Sequence, residues 1–258
     1  MTKKLSRRHF LLGGGSLLLG SIIIANRSIL SHADGYRPLL RAGETFNMYA
    51  QRLALRHRPL APEYSVQKIS PTVPQNGGFG AFYIDPDPQY DKMVANGFKD
   101  WRLKLDGLVD KPMSLNIKQI RNLPSRSQIT MHSCDAGWSA IGKWTGVALG
   151  ELLDAVGIQE KARYVVFYCM DKMGGQTIYG SIDLLDAYHP QTILAHSLND
   201  APLPTKNGAP LRLRVELQIG YKNLKHIDHI QVVESLDNIG GGAGGIFEEM
   251  GYQWYAGL

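Results

Sequence analysis

The chain offers two cysteines, Cys134 and Cys169, and the first lies in its most informative segment, Met131-His132-Ser133-Cys134-Asp135-Ala136-Gly137-Trp138-Ser139. A thiolate at this place has three uses. It is a soft ligand for a metal, half of a disulfide if it pairs with Cys169, or a nucleophile if a base stands beside it. Cysteine arithmetic alone makes the Cys134–Cys169 bridge the plain expectation for an exported chain. His132 stands two residues before Cys134 and on the same face of an extended strand, where it can hydrogen-bond a substrate oxygen or assist proton transfer. The same closeness argues against a cysteine hydrolase, whose nucleophile and base are not expected two residues apart. The sequence has no Cys-x-x-Cys-His for attached haem and no cysteine cluster for iron–sulfur. Electrons for a redox reaction must therefore come from or go to a separate protein.

The elements around these residues follow from periodicity. Residues 129–132 read as a strand that delivers Cys134 into a loop, and 147–156 as an amphipathic helix with Leu149, Leu152, Leu153 and Val156 on one side. The stretch between them is where chemistry would sit. Residues 163–168 are rich in β-branched and aromatic side chains and predict a buried strand ending at Cys169. Earlier, Trp101 to Leu108 alternates apolar and polar residues, and Ser114 to Leu123 suggests a short helix capped by Ser114. Leu211 to Leu217 alternates Leu211, Leu213, Val215 and Leu217 with Arg212, Arg214 and Glu216, and 227–233 is a further strand, so the C-terminal half is β-rich. Residues 240–245 are glycine-rich but lack the strand-before, helix-after setting of a phosphate-binding turn, and read as a flexible connection.

The N-terminal 33 residues read as an export signal. Lys3, Lys4, Arg7 and Arg8 precede an apolar stretch, Phe10 to Ala25, and Arg7-Arg8 gives the twin-arginine pattern of a route that carries folded cargo. The apolar stretch is 16 residues long and holds four glycines, short of the roughly 20 strongly apolar residues of a spanning helix. Cleavage after Ala33 is therefore favoured over a permanent anchor, and the product is periplasmic. Cleavage would remove five basic residues and no acidic one, taking the net charge from +5 to about 0. The basic balance belongs to the signal, so no nucleic-acid partner is implied. Residues 34–75, with five prolines, read as an irregular arm in which 44–57 forms a helix, and 76–258 as one domain.

The segment continues as Ala140-Ile141-Gly142-Lys143-Trp144-Thr145-Gly146-Val147-Ala148-Leu149, and with it the chain resembles the sulfite-oxidase-fold molybdopterin oxidoreductases, whose exported bacterial branch carries Cys-x-x-Gly-Trp-Ser followed by Trp-x-Gly-Val. Further similar blocks are Ser181-Ile182-Asp183-Leu184, His189-Pro190-Gln191-Thr192-Ile193-Leu194-Ala195, Asn207-Gly208-Ala209-Pro210-Leu211-Arg212-Leu213, Gly220-Tyr221-Lys222-Asn223-Leu224-Lys225 and the terminal Gly251-Tyr252-Gln253-Trp254. They occur in the family's order between residues 101 and 258. The resemblance implies an α+β, β-rich single domain of mixed sheets with a few short helices. It also implies one molybdenum per chain, held by one pterin and by a cysteine thiolate at Cys134, which removes that sulfur from any disulfide.

By the same resemblance Cys169 lines the pterin, while Arg212 and Lys225 supply charged donors to its phosphate. Asn207 lies near that phosphate, Asn223 and Leu224 flank the cofactor, and Asn76 with Phe79 and Gly80 corresponds to an upstream loop closing over it. Two departures stand out. The glutamate that many relatives place two residues after the cysteine is Ala136 here, with Asp135 the nearest carboxylate, and the arginine common before Asn76-Gly77 is missing. Tyr188 and His189 are candidate substrate contacts. The implied function is two-electron oxygen-atom transfer on a small substrate, either reducing a sulfoxide or N-oxide or oxidising an oxyanion such as sulfite. The electron partner is then a cytochrome or a haem-bearing membrane subunit. The alternative is a non-catalytic exported protein of the same fold with a structural or partner-binding role.

Overall fold

The computed structural model describes residues 33–56, 60–74 and 88–258, with side chains from residue 42 on. The expected signal segment and the loop at Asn76, Phe79 and Gly80 therefore lie outside the described residues. The chain divides into two compact units, residues 1–53 and 54–258. The first holds most of one helix, α1 (Ala33–Leu55), which starts well before the expected residue 44. Among the described residues no helix is long and apolar enough to cross a membrane.

The second unit is built on two five-stranded sheets. One has the order β2 (Met113–Leu115), β1 (Leu103–Gly107), β10 (Ile227–Val233), β5 (Tyr164–Met173), β6 (Gln176–Asp183), with only the β1–β10 pair parallel. The other runs β3 (Arg126–Ser133), β4 (Ser139–Ala148), β7 (Ile193–Leu198), β8 (Ala201–Pro202), with β9 (Arg212–Arg214) also on β7, all antiparallel. Short helices fill the connections: α2 (Pro88–Ala95), α3 (Ile117–Arg121), α4 (Leu149–Val156), α5 (Leu184–Ala187) and α6 (Ile246–Glu249).

The main core joins alternate residues of β1, β5 and β10 to the apolar stripe of α4 and to Leu211 and Leu213. On α4 the expected Leu149, Leu152, Leu153 and Val156 are all buried, each burial stabilising by roughly 1.5–3 kcal/mol. A second cluster around Trp144 packs Ile193, Ala195, Leu198, Leu203 and Val73. Residues 60–74 reach the second sheet through Tyr64 N–H to Ile129 O, 2.8 Å, and Ser70 N–H to Ile141 O, 2.9 Å.

Several expectations needed correction. Ser114 lies in β2, because Met113–Leu115 pairs with Leu103–Leu105. The helix start falls instead at Asn116, whose side chain and that of Gln119 cap each other's backbone N–H. Tertiary pairing overrode a local propensity there. The stretch after Cys134 is mostly strand rather than loop: only 134–138 turns, and 139–146 pairs with β3 residue by residue. The strand that carries Cys169 does not end there but runs on to Met173. Residues 240–245 are packed rather than loose. Ser181 Oγ donates to Gly244 O at 2.6 Å, and a side chain at Gly245 would collide with Glu248.

Candidate active site

Cys134 is placed by the tight β3–β4 hairpin. Its N–H donates to Trp138 O at 2.9 Å and its carbonyl accepts from Gly137 N–H at 3.1 Å, while Gly137 takes φ +87°, a left-handed turn that favours glycine. The thiol is half-buried and free of any disulfide, as is Cys169. The plain cysteine-pairing expectation therefore fails. Burial first, and then the Asp135 carboxylate, push the Cys134 thiol up, while the Ala136 backbone and Arg212 pull it down. Gly220 closes one side of the turn, because a Cβ there would lie 2.9 Å from Cys134 Cα. Only glycine lets that backbone come so near.

His132 is buried beneath this turn, 2% exposed. Its Nδ1 meets a guanidinium nitrogen of Arg214, and since an arginine can only donate, Nδ1 is the acceptor and the ring is neutral with its proton on Nε2. Burial first, then Arg214 and Arg212, hold its pKa well below the usual value. Its ring packs against Trp138 at 5.3 Å. The structure thus sets the His132 ring beside the Gly220 backbone that closes the turn, tied to Arg214.

β9 carries the charge of the site. Arg212 and Arg214 are 0% and 1% exposed, and both guanidinium groups lie over Trp144, at 5.0 and 4.5 Å from the ring centre. Arg214 is paired in a fork with Glu216, Nε to Oε1 at 3.1 Å and Nη2 to Oε2 at 2.6 Å. Gln128 completes that pair, donating to Glu216 Oε1 at 2.8 Å. Arg212 instead donates to two backbone carbonyls, Asn207 O and Asn223 O, each at 2.9 Å, and its buried Nε has no partner. Burial first and then Arg214 lower the Arg212 pKa.

The same place gathers other expected residues. Asn207 is buried and donates to Val73 O and Pro74 O, both at 3.3 Å. Asn223 accepts from Val215 N–H at 2.9 Å and donates to Gln218 O and Ile219 O at 3.2 Å. Lys225 is buried, its pKa lowered by desolvation and by Arg212 against the pull of Asp171. Gly208, at φ +108°, lets the chain pass between Lys225 and Arg212, whose Cβ atoms would stand 3.0 and 3.1 Å from a Cβ there. Cys169 is fully buried beside Lys225, its thiol raised well above the usual range by burial and then Asp171 and Asp228. Leu224 belongs to the main core and passes its carbonyl to Leu213 N–H at 2.8 Å. Behind Lys225, His226 bridges the Asp171 carboxylate and Thr205 O.

Tyr188 and His189 are engaged in the turn after α5. The Tyr188 hydroxyl donates to Asp154 Oδ1 at 2.8 Å and His189 Nδ1 accepts from Gln191 N–H at 3.2 Å. Sequence reasoning missed Arg214, Glu216, Gln128 and Gly220. The alternation at 212–216 was the available signal. Alternation alone does not show what covers a face, and Glu216 is 4% exposed. The arrangement can offer one soft thiolate to a metal, and two buried cationic side chains, Arg212 and Lys225, to an anion.

Comparison with known proteins agrees with this chemistry. Residues 90–238 match the family described as oxidoreductase molybdopterin binding domain. A protein of Azospira oryzae, named putative protein-methionine-sulfoxide reductase subunit YedZ1, is 36% identical over 251 residues, 97% of this chain and 86% of that protein. The protein-methionine-sulfoxide reductase catalytic subunit MsrP of Xanthomonas axonopodis pv. citri is 38% identical over 170 residues, 61% of this chain and 52% of its own length. This chain thus aligns with about half of that second relative. Among solved structures, the sulfane dehydrogenase SoxCD from Paracoccus pantotrophus is similar at TM-score 0.49 and 20% identity, over 53% of this chain and 39% of that one.

Proposed function

Because this chain belongs to the family of molybdopterin-binding oxidoreductases, we propose that it reduces methionine sulfoxide in the periplasm, with Cys134 as the protein ligand of its single molybdenum. The balanced reaction takes one sulfoxide, two electrons and two protons to a thioether and water. The electrons come from a separate haem-bearing membrane subunit or small cytochrome. Relatives named as sulfoxide reductase subunits support the substrate and the need for a partner. The Arg7-Arg8 signal supports export in the folded, loaded state.

One observation carries the cofactor assignment: a disulfide-free, half-exposed thiol stands near a buried guanidinium that, among the described residues, has no carboxylate of its own and an unused Nε. A pterin-bound molybdenum fits these residues, because a soft thiolate completes a sulfur-rich ligand set and a terminal phosphate relieves a buried cation. Bound there, the group supplies two-electron oxygen-atom chemistry. The protein's own residues do the remaining work. Cys134 would anchor the metal, Arg212 and Lys225 with the Asn207 amide would hold the phosphate end, and Asn223 would fix the 215–219 backbone against Arg212. His132, kept neutral by Arg214, would orient the hairpin, with its Nε2 proton on the side of Gly220.

Protein matured in its own periplasm should contain close to one molybdenum per chain by elemental analysis and should reduce methionine sulfoxide with a reduced viologen dye. A metal-free native protein, or one inert toward every sulfoxide, would overturn the reading.

A further inference from the structure

The C-terminal residues return to the Cys134 turn. After α6 the chain runs beside 217–221: Ile219 N–H donates to Ala256 O and Leu258 N–H to Leu217 O, each at 3.0 Å, and Gln218 bridges Gly257. That neighbour is the segment whose Gly220 backbone lies against Cys134 Cα. The return is locked by a buried ion pair, Lys222 Nζ to Glu248 Oε1 at 2.7 Å with side chains 3% and 4% exposed. Lys222 Nζ also lies 5.2 Å from the centre of the Trp254 ring.

The fold thereby gathers three half-exposed rings, one of them on Tyr221, next to Gly220 in the chain. Tyr221 and Tyr252 meet edge to face at 5.0 Å, Phe247 and Tyr252 at 5.8 Å, and Tyr221 and Phe247 at 5.9 Å. The Tyr221 hydroxyl donates to Gln253 O, and Tyr252 N–H to Phe247 O at 3.1 Å, so the rings are held by backbone on two sides. Phe247 also touches the main core. Burial first, then Asp135 and Cys134, raise the Tyr252 hydroxyl pKa.

We propose that Tyr221, Phe247 and Tyr252 form the substrate clasp, gripping the S-methyl end of a methionine sulfoxide side chain beside Cys134. The inference rests on the sulfoxide reading above and names the residues that would read that substrate. A sulfoxide is a neutral dipole with its positive end at sulfur and the adjoining methyl. Aromatic faces carry negative charge density, and sulfur packs well against ring edges. An oxyanion would gain nothing from three such rings and would be repelled by the exposed Asp135 carboxylate. A half-open clasp also suits a side chain reaching in from a protein surface.

The test uses the molybdenum-loaded enzyme, a peptide containing methionine sulfoxide and a reduced dye. Tyr252→Leu should raise KM roughly tenfold, the value of a lost aromatic contact, with kcat changed by less than about threefold and molybdenum content held. Tyr252→Phe, which keeps the ring face, should stay within about threefold of the wild-type KM. A KM unchanged in the leucine variant would overturn the clasp. Wild-type enzyme provides a second measurement that does not depend on how any variant folds. A methionine peptide should inhibit severalfold more strongly than the same peptide with norleucine, and equal inhibition would also overturn it. Failure of the wild-type enzyme to reduce any sulfoxide would instead remove the parent reading.

Discussion

Arg212 and Arg214 stand two residues apart on one strand, equally buried and both laid on Trp144, yet they belong to different kinds of region. Around Arg214 every charge is answered: Glu216 takes its guanidinium in a fork, Gln128 takes Glu216, and His132 takes the remaining nitrogen. Around Arg212 the partners are backbone carbonyls, and one nitrogen is left over. A buried cation without a carboxylate costs stability until an anion arrives. The closed region is satisfied by its own side chains, and the open one is where the proposed phosphate would bind. A protein that needed both arginines only for packing would have paired both alike.

The largest expected effect lies on the ligand side. Cys134→Ser should abolish molybdenum retention and reduce dye-linked turnover to background, measured by metal analysis and assay on the same sample. Next comes the closed region, where Glu216→Ala leaves Arg214 buried and unpaired and should cost about 3–5 kcal/mol in denaturant unfolding. Arg212→Met should reverse that balance. Cofactor affinity should fall by the worth of a charged hydrogen bond, about 1.5–3 kcal/mol, while the cofactor-free protein loses less stability than the Glu216 variant does. If both variants lost equal stability and equal cofactor, the distinction between the two regions would be gone. The smallest effect concerns the two thiols. In cofactor-free protein a thiol reagent at pH 8 should modify the half-exposed Cys134 and leave Cys169 untouched until denaturation, since burial keeps Cys169 protonated. Mass analysis of the labelled peptides reads the outcome.

Much of the frame was legible beforehand. The apolar stripe of α4 and the limits of β10 follow from periods of 3.6 and 2, which depend only on backbone geometry. Cys134 was singled out by its resemblance to a family block, and its place just after β3 followed from the strand before it. Three features did not show. Ser114 looked like a helix cap until a strand pairing claimed it. The pairing of Arg214 with Glu216 was hidden, since alternation says which side chains share a face and not what covers that face. The aromatic group near Cys134 joins residues 221, 247 and 252, a meeting set by the C-terminal return and not by spacing.

By itself, then, the order of residues determined which groups can do chemistry here: one thiol in a tight turn, a strand bearing two arginines and a carboxylate, and the amides at 207 and 223. Periodicity and local hydrogen bonding reach only a few residues along the chain, so they settle identity and short elements. Which arginine is neutralised and which is left for an anion was decided only when β9 was buried beside β3 and β4. In that low-dielectric setting each charge must find a partner through space, and the partner on offer depends on the packing of strands far apart in sequence.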